Sequence, residues 1–394
     1  KVGDEVMWHV SIANTSTACD ADDGAPYHLE GGSYGVARIT SLHATLPATI
    51  TIDHVFPAAV SNLNDDLLKT NVINTTQCVM QVIRIPNLRN LTISGATTLT
   101  ANAFSLGAQA NQATGNGGII AIRVSEQLIL NSGVTLNILQ TGLGYPSDDT
   151  ALPMSFGFQG VGPDGFTQSN VCIDCNLNLG MGGGVGLGTG VLNAGGGGGG
   201  HLGAGGNGGK DNDPNSQKGQ GGNQLTGRLF PEYLMMGAAG GHGKGAGLTA
   251  LQLGGKGGGI IMLFAREILD GNGNASINLT ADGSMGGVTS SDNGAGGGAG
   301  GSVYLFTQFS NVTTLTTSAA GGAGTNYINT ACGGGGGGGG KVLIQSCMSI
   351  AGAGAPIILG GTAGTDHSNC TTSAAEGGPG GSGIGIAPTH NFCP

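Results

Sequence analysis

Charge is what this chain has least of. Only 9 % of its 394 residues are Asp, Glu, Lys or Arg, and 13 basic residues against 23 acidic ones leave a net charge of −10 at pH 7. A phosphate backbone demands a basic stripe, yet Lys210, Lys218, Lys244 and Lys256 stand singly among glycines. Nucleic acid is therefore not an expected partner. Aromatics are also scarce at 4 %, with Trp8 the one tryptophan. No run reaches eighteen apolar residues, so no membrane span is expected. The chain opens at Lys1 without Met or an apolar leader, which reads as a processed or trimmed product. Long stretches with helical spacing and caps are absent too, which points to an all-β fold.

Glycine is abundant, with 83 residues. They cluster in blocks without a G-x-y period, which excludes collagen. Low charge and a mean hydropathy of +0.10 argue against plain disorder. Between the blocks lies a repeat. "IIAIRVSEQLILNSGVTLNILQTG" from Ile119 aligns without a gap on "IIMLFAREILDGNGNASINLTADG" from Ile260, which sets Glu126 on Glu267, Leu128 on Leu269, Leu136 on Ile277 and Ile138 on Leu279. Looser copies begin at Ser302 and Lys341, and a fifth begins upstream at Val82. Within each copy the apolar period is two, as in Val134, Leu136 and Ile138, so the copies read as short strands. Three short strands turning at small residues make one coil of a parallel β-helix, whose coils stack over a continuous apolar core. A β-sandwich with irregular glycine loops is the competing fold.

The glycine blocks follow Gly142, Gly283, Gly321 and Gly360, so one place in the coil emits an excursion repeatedly. Coils stack about 4.8 Å apart, which forces excursions from equivalent positions to run side by side. Glycine in a three-residue-per-turn extended helix can be approached from every side and hydrogen-bond outward. A polyglycine II bundle is the expected result, with Tyr327 and the Asp366-His367 pair at reversal points. His201 and His242, inside glycine blocks, read as residues of the bundle edge. Two regions follow: an N-terminal β-rich segment, 1–80, acting as cap or assembly arm, and a glycine-rich β-helix, 81–394, with a long insertion at about 143–259. The cap would cover an open coil edge; the arm would add strands to a neighbour.

Eight cysteines, Cys19, Cys78, Cys172, Cys175, Cys332, Cys347, Cys370 and Cys393, are an even number. Only Cys172-Ile-Asp-Cys175 has metal-ligand spacing and no second half-site completes it. Disulfides in an oxidising compartment are the expectation, with Cys332–Cys370 and Cys347–Cys393 as candidate pairs. The N-x-S/T acceptors Asn14, Asn74, Asn90, Asn274, Asn278, Asn311 and Asn369 fit a secreted glycoprotein in company with the cysteines.

Chemistry is harder to find. Asp20, Asp22, Asp23, Asp65, Asp66, Asp148 and Asp149 all fall in turn-like sequence. Within the coils, Arg123, Glu126, Arg266 and Glu267 are the one charged group, and a surface ion-pair ladder accounts for them. There is no G-x-S-x-G elbow, no histidine pair at metal spacing, and no phosphate loop at "GGKGGG". Neither catalytic residues, a metal nor a cofactor is expected.

The blocks "AGGGGGGHLGAGGNGG" and "ACGGGGGGGG" resemble the glycine-rich extracellular domain of the anaplastic lymphoma kinase receptor family, and the strand units resemble secreted, glycine-rich members of the pectate-lyase-like parallel β-helix group. The first resemblance implies rigid packed polyglycine helices, the second a surface adhesin or a wall or filament component. The expectation is an extracellular structural protein whose partners are copies of itself, forming a filament, sheath or adhesive coat. A glycan-binding adhesin is the alternative, and a carbohydrate-active β-helix enzyme a more distant one.

Overall fold

A computed structural model describes residues 1–13, 32–43, 49–53, 78–106, 115–147, 160, 162, 182–184, 194–211, 218–224, 233–244, 251–287, 293–326, 332–348, 350, 352–368, 370–376 and 381–386. Among these residues the fold is all-β, without a helix, and holds both antiparallel and parallel sheets. The N-terminal strands β1 (Glu5–Ala13), β2 (Tyr34–His43), β3 (Thr49–Ile52) and β4 (Cys78–Ile85) form an antiparallel sheet in the order β3-β2-β1-β4. At Pro86, which has no N–H to donate, the chain leaves that sheet. It then visits two parallel sheets alternately. The larger consists of β5 (Asn87–Ile93), β9 (Ile119–Leu130), β14 (Ile260–Asp270), β16 (Ser302–Ser310), β18 (Lys341–Ser346) and β20 (Gly381–Ile386). The smaller consists of β6 (Thr97–Thr100), β10 (Thr135–Leu139), β15 (Ser276–Thr280) and β17 (Thr314–Ser318). Three two-stranded pairs complete the set: β7 (Ser105–Leu106) with β8 (Gly115–Asn116), β11 (Lys210–Asp211) with β19 (Cys370–Thr372), and β12 (Gly243–Lys244) with β13 (Leu251–Gln252).

The two parallel sheets are patterned differently, and the pattern states what covers each face. In β10 and β15 only every second side chain is buried, so one face meets the core and the other meets water. In β14 the first four residues are all buried. Ile261, Leu263 and Ala265 enter the core between the parallel sheets, while Ile260 and Met262 join a second cluster with Met7, Ile85, Leu234 and Met236. Full burial of each large aliphatic stabilises by about 1.5–3 kcal/mol. The larger sheet thus has a core on both sides, and the second is roofed by the antiparallel sheet. The N-terminal strands thus pack against a face of the larger sheet of their own chain.

The repeat is real, and three details of it differ from the sequence reading. The units at Ile119 and Ile260 pair parallel, and Leu136 faces Ile277 and Ile138 faces Leu279 as aligned. Between them, however, Leu128 faces Ile268 rather than Leu269, because a bulge in β9 near Glu126 inserts a residue that the following turn removes. The copy assigned to start at Val82 is split: Val82 pairs with Trp8 in the antiparallel sheet, and only Asn87 onward joins the parallel one. Finally, among the described residues the units at Ile119, Ile260 and Ser302 each supply two strands rather than three, and the unit at Lys341 supplies β18 followed by isolated bridges. Glycine-rich segments join one unit to the next.

Candidate functional site: a cross-bonded glycine bundle

The glycine segments are buried. Residues 195–200, 293–301 and 332–340 are all shielded from solvent, although none of them lies in a strand. Their backbone groups must then find partners within the protein, and they do so with a period of three. Gly334, Gly337 and Gly340 donate to Thr325, Gly322 and Ala319 at 3.0, 2.9 and 2.7 Å, so that neighbour runs antiparallel. Gly335 and Gly338 donate to Gly196 and Gly199 at 2.9 and 2.8 Å, a parallel neighbour on a second side. On a third side the carbonyls of Gly333, Gly336 and Gly339 accept from Gly209, Gly206 and Gly203. One strand of glycine is thus bonded in three directions at once, which neither an α-helix nor a pleated strand can do.

These bonds join into long relays. Gly361 donates to Gly337, Gly337 to Gly322, Gly322 to Gly298, Gly298 to Ser284 and Ser284 to Lys256, at 2.7–3.0 Å throughout. A second relay winds around three parallel segments: Gly300 donates to Gly338, then Gly338 to Gly199, Gly199 to Gly297, Gly297 to Gly335, Gly335 to Gly196 and Gly196 to Gly294. Each circuit climbs three residues. Consecutive bonds of this kind polarise one another in the same sense, which strengthens the whole.

Only glycine fits. A Cβ on Gly198 would run into the carbonyl oxygen of Gly336, one on Gly337 into that of Gly298, and one on Gly297 into that of Gly322. These obstacles are backbone atoms of buried neighbours, so no rotamer change relieves them. Small side chains occur where a partner exists for them. The Thr325 hydroxyl, for example, receives the Ala295 N–H at 2.7 Å.

Three side-chain devices fasten the bundle. Cys332 and Cys370 form a disulfide across 38 residues, joining two excursions as the sequence suggested. Asp366 is not an idle reversal residue: its Oδ1 accepts from Gly333 N and its Oδ2 from Ala374 N, both at 2.7 Å. Cys332, Asp366 and Cys370 have ligand atoms close together, but with both sulfurs in the disulfide the group acts as a staple. Third, the histidines are not edge residues. His201 and His242 are each 1 % exposed, and each Nε2 meets a backbone carbonyl, that of Met235 for His201 and that of Ser147 for His242. His9, from β1, reaches the Leu234 carbonyl at 2.8 Å. The adjacent carbonyls of Leu234 and Met235 are thus each held by an imidazole, with the Ser302 hydroxyl also donating to Met235 O at 2.6 Å. Burial drives the pKa of His9 down to about 4, against a partial upward pull from the Leu234 carbonyl. Burial does the same to His201, to about 4, again opposed by its carbonyl partner. Lys341, beside His201, is lowered to about 8 by burial.

The charged group of the parallel strands is not one ladder. Arg123 bonds Glu5 of β1 at 2.9 Å, with Glu5 buried, and lies over the Phe264 ring. Glu126 instead pairs with Arg89 at 2.8 Å, and that bond, foremost, lowers its pKa. Arg266 donates to Gln308, and Glu267 accepts from Gln127. The first pair seats the antiparallel sheet; the others lie along the outer strands. Sequence spacing could not reveal Glu5 as the partner, because 118 residues separate the pair.

Among the glycosylation candidates, Asn278 donates its amide to Asn137 at 2.8 Å from within β15, and Asn90 donates to Glu126 from β5. Asn311 accepts from Asp270 N, and Asn274 occupies a left-handed turn with φ of 70°. Asn14, Asn74 and Asn369 lie outside the described residues, as do Tyr327 and the aspartates at 20, 22, 23, 65, 66, 148 and 149. Cys347 is disulfide-bonded, but its candidate partner Cys393, like Cys19, Cys172 and Cys175, lies outside them too. Cys78 opens β4, and its side chain is also outside the description. No family model, curated protein or solved structure matches the chain.

Proposed function

We propose that this chain is an extracellular structural protein, the repeating subunit of a filament, sheath or adhesive coat. In this reading each unit is one coil of a parallel β-helix-like stack whose third side is a polyglycine II strand. The single observation that carries it is the period-three cross-bonding of buried glycine segments, the spacing a three-residue-per-turn helix produces. Ordering glycine costs roughly 1–2 kcal/mol of backbone entropy per residue. A chain that sets so many of them in one bundle has given priority to stiffness. The disulfides support an oxidising, extracellular location, and the resemblance to glycine-rich β-helix surface proteins points the same way. Arg123 and Glu126, the residues an enzyme on this scaffold would use, serve instead in ion pairs.

Electron microscopy of purified protein tests the proposal. Filaments or sheets with a constant subunit rise are expected as concentration increases. Particles that stay single at every concentration would remove it.

A further inference from the structure

The two parallel sheets end abruptly, and the two ends are unlike but complementary. Among the described residues, β6 is the first strand of the smaller sheet, while at the other end the sheet is extended past β17 only by bridges from Leu315 to Ala353 and from Ser318 to Ile357. Register runs straight through the stack. Thr97, Leu136, Ile277, Leu315 and Ala353 form one column; Thr100, Leu139, Thr280, Ser318 and Ile357 form another. Pro356 falls in the extra residue between the two columns of the last layer, so the edge resumes its register at Ile357.

Among the described residues the core is less covered at both ends. Inner-layer residues such as Leu128, Ile277, Leu279 and Leu305 are at most 1 % exposed, whereas Leu91 and Leu99 at one end and Ile350, Ala353 and Ile358 at the other are only partly buried. Beside the last layer Met348, Ile357 and Leu359 are 57 %, 43 % and 67 % exposed. Stacked-repeat proteins close such ends with polar capping units, and exposed edges are normally guarded by charge. Neither 96–101 nor 352–360 contains a charged residue.

The larger sheet is stepped at the same two ends. β5 pairs with β9 only from Arg123 onward, leaving Ile119–Ile122 without that neighbour. β20, carried through β18, β16 and β14, covers the columns of Ile119 to Val124. The first and last layers are therefore stepped in opposite senses and share two columns, in which Asn87 and Leu88 of an incoming copy must displace Gly385 and Ile386.

We propose that a second copy of this chain docks head to tail on the last layer, its β6 continuing the smaller sheet beside Ala353–Ile357. Thr97 of the incoming copy then extends the Ala353 column and Thr100 the Ile357 column, by β-augmentation. Because the two surfaces differ, the contact is heterologous and repeats without closing. This rests on the proposed self-assembly and names the surface that performs it.

The experiment uses full-length Thr100→Cys/Ile357→Cys, whose two thiols would lie about one strand spacing, ~4.8 Å, apart across the join. Treatment with a short thiol-to-thiol cross-linker under filament-forming conditions is expected to give a covalent ladder on denaturing gels. The single variants mixed one to one should stop at dimers, and either single variant alone should give none. Leu359→Lys, at a 67 % exposed position, should raise the concentration needed for assembly at least tenfold while thermal unfolding stays unchanged, since a lysine on an edge strand guards it against further pairing. Filaments that form without a ladder and tolerate Leu359→Lys would overturn this surface and leave self-assembly standing, as when residues 387–394 or another capping chain cover the edge. The absence of any assembly would overturn both.

Discussion

The two halves of each repeat are held by opposite means. In the β stack, side chains do the work: Leu128, Leu136, Ile277 and Leu279 interlock between sheets, and backbone bonds only set the spacing. In the glycine bundle there are no side chains to interlock, and peptide groups bonded on three sides supply the cohesion. An apolar core tolerates volume-conserving exchange at a cost usually below about 1.5 kcal/mol. A packed peptide lattice has no such slack, since the smallest side chain is already too large. Glycine-rich sequence can thus be the least substitutable part of a fold.

The sharpest way to break this contrast is Gly337→Val. Its Cβ would meet the Gly298 carbonyl in the middle of the relay that links Gly361 to Lys256. We expect destabilisation beyond about 4 kcal/mol, the range reserved for severe defects, with loss of amide-exchange protection in 196–199 and 294–300. Retained protection there would show that the bundle yields. Leu279→Ala should cost about 2–5 kcal/mol, the ordinary price of a core cavity, while Leu279→Met costs less than about 1.5 kcal/mol. Denaturant unfolding measures both. If the two regions responded alike, their cohesion would not differ in kind.

Much of this was legible in the sequence, for physical reasons that also explain the rest. Alternation at Val134, Leu136 and Ile138 reports a half-buried strand directly, and the glycine blocks after Gly142, Gly283, Gly321 and Gly360 report where the chain leaves the strands. The Cys332–Cys370 staple followed from lying in successive excursions. The bulge near Glu126 left no trace, because an extra residue removed in the next turn preserves the overall length of the repeat. Glu5 and Arg123 meet through tertiary packing alone. The burial of His201 and His242 was hidden by their glycine neighbours, which look solvent-like when their partners are unknown.

Buried histidines hold the seam between the two regions. His9 comes from the antiparallel sheet and His201 from a glycine block, and they grip adjacent carbonyls, Leu234 and Met235. Both are held neutral, with pKa values near 4 against 6.5 for a free imidazole. The unfolded chain therefore takes up protons first as pH falls, so stability is full above about 6.5, declines between 6.5 and 4, and levels below. At pH 5 the loss is about 2 kcal/mol per histidine. His201→Asn should flatten that decline in a series of thermal melts between pH 7.5 and 4. A slope unaltered by His201→Asn and His9→Asn would place the acid sensitivity elsewhere.

The smallest effect makes the finest distinction, because it uses one substitution at two glycines. Gly95 lies in the bend between β5 and β6, where an added Cβ would meet nothing within 4 Å and no left-handed φ is required. Gly95→Ala should stabilise by roughly 0.4–1 kcal/mol, since it removes unfolded-chain freedom without adding a clash. Gly337→Ala carries the same entropic benefit, yet should destabilise, because its methyl group enters the space of the Gly298 carbonyl. Opposite signs in paired chemical-denaturation curves would assign the difference to packing, as propensity and chain entropy are common to both. Equal signs would mean that the bundle's segments separate enough to admit a methyl, and the period-three lattice would then owe its order to something other than close approach.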